Sequence, residues 1–305
     1  MEDDSLVVRY PNAVLYMVMD GHGGRDVVDY AKATFPTLFN DVLREPPSLL
    51  IQAIKDAFLR LDEDIYQRRL VSGTTVVAVL HLLKESTLYF INVGDSRAVL
   101  AEGGNVIFET EDHKPHMEEE RIAAAGGSVD HGRVNGMLAV SRALGDNDFK
   151  VRVVAEKRQW STYAGFRAMV SPEPDITLFQ MQEDHKGRNY TLILASDGLW
   201  DGVSSKEAAA FAPNECQSLL DKGKNNAGRN CDNITVMMAR VNGPLTHVNG
   251  PTTHVAPSRS RFRLSHHAQS TDVVPIVIIV VVAVVLVGLW LAIRGKPRGV
   301  SPAVQ

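Results

Sequence analysis

Three aspartates stand where extended apolar segments stop: Asp20 after Leu15-Tyr16-Met17-Val18-Met19, Asp95 after Phe90-Ile91-Asn92-Val93-Gly94, and Asp197 after Leu192-Ile193-Leu194-Ala195-Ser196. A fourth, Asp232, immediately precedes the run Asn233-Ile234-Thr235-Val236-Met237-Met238. Gathered at the rim of a sheet, these carboxylates would repel one another unless cations lay between them, and hard oxygen ligands suit Mg2+ or Mn2+. The chemistry implied is a binuclear metal site. Glycines beside three of them, Gly21, Gly94 and Gly198, let backbone approach closely. A single Asp-Gly at a strand end is ordinarily a turn. Four such aspartates, with His22 directly after Asp20-Gly21, argue for a site.

The elements that would position them mix two periods. Val14 to Met19, Thr74 to Leu83, Thr87 to Val93, Arg97 to Ala101, Asn105 to Phe108, Tyr190 to Ala195 and Asn233 to Val241 read as strands, several rich in Val, Ile and Leu. The linkers Lys84-Glu85-Ser86 and Glu102-Gly103-Gly104 are hairpin-length, so part of the sheet is antiparallel. Leu50, Ile54, Ala57, Phe58, Leu61 and Ile65 recur at three- and four-residue steps and predict an amphipathic helix. A capping box, Ser204 with Glu207, opens another. Hairpin strands with long amphipathic helices predict an α+β fold, helices laid over antiparallel sheets.

Composition narrows the class further. At 305 residues and 45% hydrophobic, the chain can bury a substantial core, and no internal repeat is visible. Cys216 and Cys231 have neither CxxC spacing nor a paired framework, which predicts two inert thiols in a reducing compartment. The net charge of −4 is uneven: from Gly243 onward there are six Lys/Arg and one acid, Asp272, so the body is the acidic part. Such a body has no clustered basic surface for nucleic acid. His113-Lys114-Pro115-His116 has ligand-like spacing but no cysteine or second pair, and reads as a loop rather than a zinc site.

Residues 273–293 are all apolar or small and neutral. As a helix they would rise about 31 Å, the thickness of a bilayer's hydrocarbon core, which predicts one C-terminal transmembrane helix. Residues 242–272, rich in Pro, Thr, Ser and His, predict a flexible linker, and 294–305 a short basic tail carrying Arg294, Lys296 and Arg298. With no apolar leader at Met1-Glu2-Asp3-Asp4, the expectation is a tail-anchored, single-pass protein whose body faces the cytosol, in either the endoplasmic reticulum or the mitochondrial outer membrane.

The body also carries an ordered series of motifs: VMDGHGG at 18–24, SGTT at 72–75, INVGDSRAVL at 91–100, EDHKP at 111–115 and ERIAAAGGSV at 120–129. GRVNGMLAVSRALGD at 132–146, SPEPDI at 171–176, LASDGLWDGVS at 194–204 and CDNITV at 231–236 follow. Together these resemble the type 2C family of metal-dependent protein serine/threonine phosphatases across residues 1–241. The resemblance implies a four-layer α-β-β-α sandwich, two mainly antiparallel sheets flanked by helices, with metals in a cleft at one edge. It implies that Asp20 bridges two Mg2+ or Mn2+ ions, with the Gly21 carbonyl, Asp197 and Asp232 as further ligands. Glu2 and Asp3 match the motif that orders metal-bound water, Asp95 and Asp201 the ligands of a weaker third metal, and His22 the proposed general acid. The implied activity is hydrolysis of phosphoserine and phosphothreonine on proteins.

Two departures stand out. The family places a strand and a phosphate-binding arginine ahead of the Glu2-Asp3 motif, and nothing in this sequence matches either; Arg9 and Arg25 are only nearby cations. The expectation is an incomplete gene model or internal start, the alternative a short form acting as a membrane-bound pseudophosphatase or scaffold. Between Asp201 and Asp232 the second of two helices reads as trimmed, Lys222 to Asn230 being polar. Trp160, Tyr163 and Phe166 fall where the family carries a variable flap.

Overall fold

The structure, a computed structural model, describes residues 2–151, 167–181, 188–227 and 232–242, with the backbone of 277–282. The chain opens with β1 (Asp4–Tyr10), β2 (Ala13–His22), α1 (Asp26–Val42) and α2 (Leu50–Gln67). Next come β3 (Gly73–Leu82), β4 (Thr87–Val93), β5 (Arg97–Glu102), β6 (Asn105–Glu109) and α3 (Glu119–Ala124). Five two-residue strands follow: β7 (Val129–Asp130), β8 (Arg133–Val134), β9 (Leu144–Gly145), β10 (Lys150–Val151) and β11 (Arg167–Ala168). The remainder is β12 (Asp175–Gln180), β13 (Asn189–Ala195), α4 (Asp197–Trp200), α5 (Ser205–Ala209), α6 (Cys216–Ala227), β14 (Ile234–Asn242) and β15 (Val277–Val282).

One antiparallel sheet runs β1-β2-β3-β4-β12, with β9 also on β3; the other runs β15-β14-β13-β5-β6. Alternation along β2 shows why they stack. Ala13, Leu15, Met17 and Met19 pack against Phe35, Phe39 and Phe58 of α1 and α2, whereas Val14, Tyr16 and Val18 face the second sheet and meet Leu192, Leu194, Met237 and Ala239. The far face of the second sheet, through Val99, Ile193, Val236 and Met238, packs on Leu199, Leu219 and Leu220 of α4 and α6. The layers are therefore helix, sheet, sheet, helix, as expected. The six-residue stripe of α2 is buried throughout.

The hairpins close where the short linkers predict, β3 on β4 and β5 on β6. The predicted capping box forms, Ser204 Oγ accepting the Glu207 N–H at 3.3 Å while the Glu207 carboxylate accepts the Ser204 N–H at 3.0 Å. Ser204→Ala should lower stability by about 1 kcal/mol, read as a lower urea midpoint at constant m. Helix α6 keeps three turns to Ala227 and buries Cys216, so less is trimmed than the polar run suggested.

Of the expected transmembrane helix only a short part is described, and that part is extended rather than helical. Within 273–293 the described residues Val277–Val282 are a β-strand, antiparallel to β14 from Ile234↔Val282 to Ala239↔Val277. Uniform hydrophobicity carries no period, so it cannot separate helix from strand; β-branched Val and Ile favour the strand, and β14 offers an edge to pair. Among the described residues no helix is long and apolar enough to cross a membrane. The rest of 273–293, the linker beyond Asn242, the tail 294–305, Cys231, and the flap residues Trp160, Tyr163 and Phe166 lie outside the described residues.

Candidate metal centre

The ends of both sheets build the site. Asp20 is two residues from the end of β2, with Gly21 and His22 finishing that strand. Glu2 and Asp3 lead into β1, whose Asp4 pairs with Met19. Asp95 sits in the turn that carries the chain from β4 in one sheet to β5 in the other. Asp197 opens α4 directly after β13, Asp201 caps its end, and Asp232 precedes β14. Glycine at 21 is required by packing, since a β-carbon there would lie 2.6 Å from the Glu2 carbonyl oxygen and 2.6 Å from a Val28 methyl.

The sequence-predicted carboxylates act on one another's charge in pairs. The charges of Asp3, Asp197 and Asp95 all bear on Asp20. Asp201 and Asp95 bear on Asp197, Asp232 on Asp3, and Glu2 on His22. Burial, then the charges of Asp3, Asp197 and Asp95, hold the Asp20 carboxyl well above the usual carboxylate range. Burial, then Asp95 and Asp201, push Asp197 up to about 7. Burial likewise raises Asp95, although Lys114 Nζ lies 2.6 Å from its Oδ2 and offsets part of the penalty. Asp3 is wholly buried: its Oδ2 accepts the Thr235 hydroxyl at 2.9 Å, while its Oδ1 has no hydrogen-bond partner. Its carboxyl is raised by that burial, against the pull of Thr235.

Among the described residues no three His, Cys, Asp or Glu side chains already close around one common point. The carboxylates meet as a chain of neighbours instead. Crowded anions with raised pKa values and a buried unpartnered oxygen are nonetheless the donor set a hard divalent cation relieves, so the residues fit such an ion.

Several contributors were not read from the sequence. His22 Nε2 contacts both carboxylate oxygens of Asp146, at 2.9 and 2.8 Å. Burial disfavours the charged ring, but the Asp146 hydrogen bond and charge, with Asp95 and Glu2, outweigh it and leave the His22 pKa raised. His113 is no zinc ligand: its Nδ1 accepts the Gly94 N–H at 3.0 Å and its Nε2 meets Asp175 at 3.1 Å, fixing the backbone beside Asp95. Of the two nearby cations, Arg25 binds Asp4, Asp29 and the Asp3 carbonyl, which ties α1 to the start of β1.

The profile of the Protein phosphatase 2C family matches residues 8–231. The chain belongs to the protein phosphatase 2C family. It is similar to Protein phosphatase 2C homolog 2 of Schizosaccharomyces pombe, 33% identical over 250 residues covering 74% of this chain and 63% of that protein. It is also similar to Protein phosphatase 1B of Rattus norvegicus, 35% identical over 274 residues covering 78% of this chain and 66% of the relative. The chain thus spans just under two thirds of the length of these relatives. Among solved structures, a Toxoplasma gondii phosphatase shares the fold, with a TM-score of 0.63, 24% identity and coverage of 82% of this chain and 91% of that one. A Caenorhabditis elegans sex determining protein does so with a TM-score of 0.61, 23% identity and coverage of 80% and 62%. The two sheets flanked by helices are therefore the protein phosphatase 2C architecture, and the family is the one the motifs predicted.

Proposed function

We propose that this chain is a metal-dependent protein phosphatase acting on phosphoserine and phosphothreonine in proteins. The observation that supports this reading is the placing of Asp3, Asp20, Asp95 and Asp197 at strand ends and turns of the two packed sheets, each carboxyl raised chiefly by burial.

In this reading Asp20, the Gly21 carbonyl, Asp197 and Asp232 would hold two Mg2+ or Mn2+ ions, and Asp95 with Asp201 a weaker third. When bound, such ions lower the pKa of a water and offset charge on the phosphoryl oxygens, the two faults that make phosphomonoester hydrolysis so slow. Asp3, anchored by Thr235, and Glu2, whose carbonyl packs on Gly21, would orient the attacking water. His22 gives a proton to the departing serine or threonine oxygen. No side chain forms a covalent bond with phosphorus. Lys114 holds Asp95 and keeps the cleft's edge compact.

The test is turnover of a phosphothreonine peptide by the full chain with and without Mn2+. Mn2+-dependent turnover that falls to background in Asp197→Ala supports the reading. Turnover no higher in the wild type than in that variant would favour the alternative, a phosphoprotein-binding pseudophosphatase.

A further inference from the structure

His22 and Asp146 lie 124 positions apart in sequence, yet the ring nitrogen Nε2 faces both oxygens of the carboxylate at hydrogen-bond distance. Three features show that the contact is built. Asp146 adopts a left-handed backbone, φ 48 and ψ 47, a conformation uncommon outside glycine, asparagine and aspartate. A β-carbon on Gly73 would collide with both His22 Nε2 and the Asp146 carboxylate, so only glycine lets the pair meet over the start of β3. The mount beneath is rigid: Gly145, which pairs with Gly73, donates its N–H to Asp62 Oδ1 at 2.9 Å, and that oxygen also takes the fully buried Lys150 Nζ at 2.6 Å. The Asp146 N–H is bound to the Ser72 carbonyl at 3.2 Å, and the Asp146 carbonyl accepts from Phe149 at 2.9 Å.

Resting on the phosphatase reading above, we propose that Asp146 is a positioning residue that holds Nε2 of His22 and thereby presents Nδ1 to the leaving oxygen of the substrate. Nε2–H donates to the carboxylate, which fixes the tautomer and swings the ring into one orientation. As the phosphorus–oxygen bond to serine or threonine breaks and water's oxygen bonds phosphorus, the departing oxygen takes the Nδ1 proton. The ring is left neutral with Nε2–H still on Asp146, and the proton released by the attacking water restores Nδ1 in the next cycle. The carboxylate itself never changes protonation.

A general acid matters for a poor alkoxide leaving group and little for a nitrophenolate, so two substrates separate chemistry from structure. With the full chain and Mn2+, Asp146→Ala is expected to lower kcat on a phosphothreonine peptide roughly 10- to 30-fold, a tenth or less of the usual worth of a general acid being retained. On p-nitrophenyl phosphate it should lose less than about threefold, with KM and the Mn2+ activation midpoint unchanged in both cases. Asp146→Gly, which suits the left-handed backbone, removes the carboxylate without strain and should behave alike, and Asp146→Asn should recover part of the peptide activity. In metal-free protein, 15N shifts of the His22 ring should report a single Nε2–H tautomer in the wild type and a mixture in Asp146→Gly. Equal losses on both substrates, no loss on the peptide, or an unaltered tautomer would overturn the assignment of Asp146. Absence of wild-type turnover on either substrate would instead overturn the phosphatase reading itself.

Discussion

Asp20→Ala is expected to cut Mn2+-dependent turnover of a phosphothreonine peptide by about a thousandfold, equivalent to about 4 kcal/mol of transition-state stabilisation. Asp20 is the carboxyl on which the charges of Asp3, Asp197 and Asp95 all press. In the proposed reading its loss removes a carboxylate that would serve both cations. The same variant should bind Mn2+ far more weakly, so that the thermal shift produced by added Mn2+ in the wild type disappears. Residual activity within tenfold of the wild type would be incompatible with that role. The substitution should not harm the fold: removing a carboxyl held well above its ordinary pKa by burial relieves repulsion, so the metal-free variant is expected to melt at or above the wild type near pH 8.

The second large effect is on stability against pH in the absence of metal. Asp197 titrates near 7 in the folded chain against 3.8 ordinarily. Below about 3.8 both folded and unfolded chains hold this proton and no penalty exists. Between the two values the unfolded chain has released a proton that the folded chain keeps, so stability falls as pH rises, and above about 7 the whole penalty is present. Asp20, Asp3 and Asp95 shift in the same direction. The raised His22 pKa acts likewise, its contribution being lost as pH rises through the folded value. Metal-free protein should therefore be more stable near pH 5 than near pH 8, by an amount on the order of a few kcal/mol. Urea unfolding in a chelator at the two pH values measures it. Asp197→Asn should flatten the difference and Mn2+ should cancel it at pH 8, whereas a chelated wild type more stable at pH 8 would contradict the arrangement.

Much of this was legible beforehand because the strands are short apolar runs ended by glycine or aspartate. Thr87 to Val93 was placed to the residue, and β2, β3, β5, β6, β13 and β14 differ from their expected bounds by three residues or fewer. β1 was missed: it opens on Asp4-Ser5, and its pattern of burial is mostly intermediate, so no clean alternation marks it. β12 was missed for the same reason, its residues being largely exposed on an edge. β15 falls inside the run expected to span a membrane, because a uniform run of valine and isoleucine suits a lipid core and a sheet edge equally well. In the site, the aspartates announced themselves by strand ends, and the motifs gathered Glu2, Asp3 and Asp201 around them. The partner of His22 did not announce itself, because contact across 124 residues and a left-handed backbone at Asp146 leave no local signature. His113 sits in a loop as its sequence suggests, and its role as a brace through the Gly94 N–H likewise has no local signature.

Asp20 ends a strand of one layer, Asp197 and Asp232 flank strands of the other, Asp95 rides the crossover between them, and Asp3 is fastened to Thr235 across the gap. The cleft is thus a seam. In the proposed reading a cation seated there would rivet the two halves of the sandwich along one margin, so its withdrawal should be felt first as faster amide exchange at the tips of β2 and β14, well before the middle of either sheet loosens.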